Sequence, residues 1–113
     1  MTREERSVSP DGRYVLYADS FEARAFQWVD TPELLDATTG STVLKLTDDC
    51  WHLDSASWRS RSVLEMRLRH FPDGVPCYSV LVDCGQLTAS VDGVEARPLD
   101  QVDGLLRDAL AAQ

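Results

Sequence analysis

The chain is poor in the residues on which most enzyme chemistry is built. Its 113 residues include two histidines, three cysteines and a single lysine, Lys45. No Gly-x-Ser-x-Gly elbow, Gly-rich phosphate loop or His-Glu-x-x-His helix occurs in it. Nucleophilic catalysis needs a Cys or Ser beside a base that a third group holds in place. The only candidates for that base are His52 and His70, and they read as strand or turn residues. The expectation is a protein that is not an enzyme and carries no cofactor. No apolar run approaches the roughly 18–20 residues needed to cross a bilayer. The N-terminus, Met1-Thr2-Arg3-Glu4-Glu5-Arg6, is charged with nothing apolar behind it, which does not read as a secretory signal. A cytoplasmic protein without membrane attachment is expected.

The cysteines, Cys50, Cys77 and Cys84, are odd in number in a chain without an export signal, so reduced thiols are expected. Cys50-Trp51-His52 with Cys77 and Cys84 supplies four soft ligands. The spacings, Cys-x-His and Cys-x(6)-Cys, are not the C-x(2–4)-C pairs of structural zinc sites. No metal ligand is assigned. A metal protein or enzyme built on His52, His70 and the cysteines is the alternative reading. Ten arginines against one lysine, with abundant Ala, Leu, Val and Asp, read as the bias of a GC-rich bacterial genome.

What the chain has in excess is negative charge. The formal net charge is −8, and it is lopsided: residues 1–56 carry 11 acids against 5 bases, residues 57–113 carry 8 against 6. Such a field repels nucleic acid and anionic membranes and favours a basic partner. Arg59, Arg61, Arg67 and Arg69, interleaved with Glu65, form the only basic cluster and read as a solvated face. The length is that of one domain with one core, residues 1–113, and the 43% hydrophobic content predicts that it folds. Residues 1–7 are expected to be flexible.

Short runs with period-two alternation, separated by turn residues, predict antiparallel β structure. Arg13–Ala18 is apolar on both faces, as in a buried central strand. The segment 20–31 has no clean period and reads as a long loop folded onto the core. Glu33–Ala37 and Ser41–Thr47 read as a hairpin. Trp51–Trp58 is a strand with Trp51, Leu53, Ser55 and Ser57 on one side, and Val63–His70 one with Leu64, Met66 and Leu68 inward. Tyr78–Val82 and Leu87–Val91 follow, and Asp92-Gly93 predicts a two-residue hairpin returning through Val94–Arg97. The tail changes period: Val102, Leu105, Leu106, Ala109 and Leu110 form one stripe of an amphipathic helix over 99–112, with Asp100 as its N-cap.

Ser9-Pro10-Asp11-Gly12, then Pro32–Gly40, the strand from Ser41 to Asp48, and His52–Trp58 with Val63–Arg69 resemble about one and a half blades of the WD40-like and TolB-like β-propeller families, over residues 9–70. The resemblance implies a four-stranded antiparallel meander and no activity. A propeller hides its edges by closing about four or more blades, which this length does not allow. The expected architecture is therefore mainly β (α+β): one twisted antiparallel meander sheet with the C-terminal helix packed on it.

The remaining lead is aromatic. Trp28, Trp51, Phe26 and their neighbours lie in the acidic half, among Asp30, Glu33, Asp36, Asp48, Asp49 and Asp54. An aromatic patch with an acidic rim suits a basic protein partner. The expectation is a small acidic protein-binding module, by analogy of charge and size immunity- or antitoxin-like. A blade-like building block that self-associates is a further alternative; the chain is a monomer or a small homo-oligomer.

Overall fold

The computed structural model describes residues 2–24, 27–71 and 77–111. The strands are β1 (Thr2–Val8), β2 (Tyr14–Arg24), β3 (Gln27–Asp36), β4 (Ser41–Lys45), β5 (Trp51–Trp58), β6 (Val63–His70), β7 (Tyr78–Asp83), β8 (Thr88–Val91) and β9 (Arg97–Pro98). A 3-10 turn, Leu99–Gln101, leads into the helix α1 (Val102–Ala111). Nearest neighbours in sequence are nearest neighbours in space. One sheet runs β1-β2-β3-β4 and a second β5-β6-β7-β8-β9, every pairing antiparallel.

The fold is mainly β with one C-terminal helix, as expected, but it has two sheets in place of one. Each sheet has an apolar face that must be covered. Tyr14, Leu16, Ala18, Leu34 and Leu44 of the first meet Trp51, Leu53, Leu64, Met66, Leu68, Val80 and Val82 of the second in a single buried cluster. Val102 and Leu106 of α1, both fully buried, enter that cluster, while Leu105, Ala109 and Leu110 pack half-buried around it. The helix thus covers only part of the second sheet. The first sheet, a four-stranded meander of the kind the blade resemblance implied, covers more of it.

Turn chemistry sets the hairpins. At Ser9-Pro10-Asp11-Gly12 the Ser9 hydroxyl donates to Asp11 Oδ1 (2.7 Å), the Arg13 N–H donates to the same oxygen (3.1 Å), and Gly12 takes a φ of 77°. Asp92 and Gly93 both have positive φ (52° and 76°), the two-residue geometry that an Asp-Gly pair predicts. The strand after it is shorter than expected, since only Arg97–Pro98 pairs with β8. Residues 3–7, expected to be flexible, are part of β1, paired with β2. Asp100 lies in the 3-10 turn and α1 begins after it, so it does not cap the helix. Asp103 of the first helical turn instead accepts the Thr47 N–H at 2.9 Å, tying the helix to the loop after β4.

The stretch read as a loop, 20–31, is the outer half of the long β2–β3 hairpin: Ser20 faces Asp30, Phe21 faces Val29 and Glu22 faces Trp28. Its period is hidden because the sheet around it thins out. β4 reaches only to Lys45, opposite Glu33, so beyond that point β3 lacks a strand on its outer side. The Asp30 N–H points outward there, and by alternation Pro32 has the same direction. A proline, with no N–H, suits such an edge position. In β5 a bulge at Asp54 changes the faces. Trp51 and Leu53 point inward, then Ala56 and Trp58 in place of the expected Ser55 and Ser57.

Candidate functional site

The acidic half converges where β3 meets β5. The Asp30 N–H donates to His52 Nδ1 at 3.0 Å, joining the two sheets, and the Thr31 hydroxyl donates to the Asp49 carbonyl at 2.8 Å, tying β3 to the loop before β5. Nδ1 acts as the acceptor here, so Nε2 is the ring nitrogen left to donate. That atom faces Asp54 Oδ1 at 3.6 Å.

Asp54, set outward at its bulge, ties β5 to β6 and to Cys77, the residue before β7. Its Oδ1 receives Arg69 Nε (2.9 Å) and Nη2 (2.7 Å), and its Oδ2 receives the Cys77 thiol (3.0 Å). Burial pushes the Asp54 carboxyl up, but the bonds from Cys77 and Arg69 outweigh it and hold it below its usual range. The same bond, with burial added, pushes the Cys77 thiol up. At the start of β5, Asp48 accepts the Cys50 N–H (2.9 Å) and sits 2.8 Å from His70 Nε2.

Most of the other predicted acids are likewise paired within the chain. Asp30 is held by Arg6 (3.0 Å) and Ser20 (2.5 Å), and Glu33 by Arg3 (3.2 Å) and Lys45 (3.9 Å). Asp36 is buried under Arg13 (3.2 Å) and accepts both the N–H and the hydroxyl of Thr38. The hydroxyl bond from Thr38, aided by the others and by Arg13, holds the Asp36 carboxyl below its usual range. Asp36 is therefore a folding group and not part of a rim. Trp51 is likewise no surface anchor. It is 1% exposed, with its ring edge-on to His70 (4.7 Å between centroids) and Tyr78 (5.5 Å). Its position on the inward face of an edge strand dictates that.

Trp28 is the opposite case: 57% of it is exposed, near the end of the β2–β3 hairpin. Among the described residues it is the one aromatic in the set of exposed large hydrophobic side chains. Phe26 lies outside the described residues. Glu22, exposed and directly across from Trp28, belongs to this surface, and sequence reading missed it. The signal was present in the Phe21–Val29 and Glu22–Trp28 pairing of a hairpin, concealed by reading 20–31 as a loop.

The thiols and imidazoles do not converge on one point. Cys50 contacts Asp49, Cys77 contacts Asp54, and Cys84 is buried in the core. Asp48, Asp49 and Cys50 bring one donor each within 4.8 Å of one another. Burial, then the two carboxylates, pushes the Cys50 thiol up and so disfavours the thiolate that a metal takes. His70 beside them has a buried Nδ1 with no partner, whereas a ligating histidine ordinarily donates its other N–H. This donor set fits a metal poorly.

Comparison with protein-family models, with curated proteins and with solved structures finds no match to this chain.

Proposed function

We propose that the chain is an acidic protein-binding module that docks a basic partner on the β2–β3 hairpin, with Trp28 as the anchor. The observation that carries this reading is the exposure of Trp28, 57%, on a hairpin that extends past the end of β4. Tryptophan is enriched among the few residues that dominate interface energies, and burying it on a partner removes a large apolar area from water. Exposed Glu22 lies opposite it, and exposed Asp48 and Asp49 lie on the loop that Thr31 ties to the same strand. With the net charge of −8, these carboxylates steer a cationic surface toward the tryptophan and speed its encounter. Neutralisation of a basic protein, as immunity proteins and antitoxins do, is the role such a surface suits.

The test is capture from a bacterial lysate by the immobilised full chain, at low and at about 1 M salt, where the Debye length falls to about 3 Å. A basic protein should bind at low salt and elute at high salt. Trp28→Ala should weaken that capture at least about tenfold, the loss expected of an interface anchor. Capture that ignores salt, or that survives Trp28→Ala unchanged, would sink the reading.

A further inference from the structure

An open groove of about 1020 Å³ is lined by residues of both sheets and by none of Trp28, His52 or Asp54. All five residues of β4, Ser41 to Lys45, line it. Side chains of a strand alternate between faces, so a cavity touched by five consecutive residues runs along the strand's edge. β4 is the terminal strand of its sheet. Among the described residues, no backbone group of the chain pairs with its outer side. Two residues past the strand, the Thr47 N–H is taken by the Asp103 carboxylate at 2.9 Å. The fold thus supplies side-chain acceptors at both ends of β4, the Thr39 hydroxyl for the Ser41 N–H (3.2 Å) and Asp103 for Thr47, and among the described residues no side chain bonds the backbone N–H groups of 42–45.

The opposite wall comes from the edge of the second sheet at Pro98, the 3-10 turn with Leu99 and Asp100, and the β7–β8 turn with Leu87. Leu87 is 57% exposed and has a φ of 57°, a left-handed backbone uncommon for a leucine. It stands beside half-buried Val43 and Leu99 as an apolar contact surface. The charges of the lining are uneven. Arg13 is paired with Asp36 and Lys45 with Glu33, while among the described residues no ion pair engages Asp100 or Asp103.

We infer that this groove binds an extended peptide that adds to β4 as a fifth strand, with apolar side chains against Leu87 and Leu99 and a lysine or arginine toward Asp100 and Asp103. Strand addition draws affinity from main-chain hydrogen bonds and specificity from alternate side chains. A second copy of the chain is the poorer occupant. It brings a charge of −8 to a groove whose unpaired carboxylates, Asp100 and Asp103, favour a cationic strand. This site is separate from the Trp28 hairpin and does not rest on it.

The probe is a terminally blocked octapeptide of alternating valine and lysine, titrated into the isotope-labelled full chain and followed by amide NMR. Shifts and slowed amide exchange should concentrate on residues 41–45 and 84–87. The valine–glutamate analogue should not bind. Of two peptides methylated on alternate backbone nitrogens, one set or the other, at least one should lose binding about tenfold or more, because a strand pairs along one edge only. Asp100→Asn, an exposed change, should weaken binding about threefold, and Trp28→Ala should leave it intact. The inference is overturned if no shift appears at millimolar peptide, if the shifts fall on the Trp28 hairpin, or if both methylated peptides bind as well as the parent. Self-association of the free chain that protects 41–45 would assign the edge to a second copy and overturn it as well.

Discussion

Cys84 sets a clear contrast among the three thiols. It closes the inward face of β7 after Tyr78, Val80 and Val82, all buried. Burial, with Asp83 and Asp36 adding to it, pushes its thiol up to about 12. The unfolded thiol titrates near 8.5. A folded value above the unfolded one means that this contribution to stability is whole below about pH 8.5 and is lost as pH rises from there toward the folded value. In native protein a disulfide reagent should therefore modify Cys50 and Cys77 slowly and Cys84 not at all, with all three reacting in denaturant; rapid native labelling of Cys84 would contradict the packing. Asp36 works in the other direction. Its lowered value stabilises the fold fully above the ordinary carboxylate value of about 3.9 and loses that effect as pH falls through the folded value. Asp36→Asn should flatten the acid limb of a pH–stability curve, measured by urea unfolding between pH 5 and 2. An unchanged limb would place the acid sensitivity elsewhere. The acids as a group were legible in the sequence, but their pairing was not. Nothing local says that Arg13 reaches Asp36 or that Arg69 reaches Asp54, because those contacts depend on the register of neighbouring strands.

At the scale of the element, sequence reading was sharpest where one rule acted alone. β6 alternates without interruption, and Leu64, Met66 and Leu68 are all fully buried. β5 has the expected bounds, but its second half turns over because Asp54 is an extra residue opposite β6. A strict period of two cannot anticipate a bulge. The helical stripe was equally readable. Leu106, fully buried against the core, is its centre. Replacing it by Asp removes a buried leucine and leaves an unpaired charge, a loss of about 2–5 kcal/mol or more. A melting temperature lower by at least about 10 °C is expected from thermal circular dichroism. Retention of the native melting temperature would mean that the helix contributes little to the core.

For the whole molecule, the number of sheets was the feature the sequence hid. Each strand declares an inward face, but which inward faces meet depends on long-range packing that no local pattern encodes. The chain length argued correctly against a closed propeller, and the structure answers the exposed faces by laying one meander on another. That arrangement leaves only residues 46–50 to link the two sheets along the backbone. All strands of the first sheet come before that link, and all strands of the second, with the helix, come after it. The chain is thus assembled like two partners joined by a tether, which adds effective concentration to contacts of its own, buried Leu46 and the Asp49 carbonyl bonded to Thr31 among them. Fragments 1–47 and 48–113, produced together, should reconstitute one particle with the native near-ultraviolet spectrum. Each fragment alone should aggregate, because its apolar face, Leu16 and Leu34 in one and Met66 and Leu68 in the other, is left in water. Two fragments that fold separately and ignore each other would show that the shared core is not what holds them.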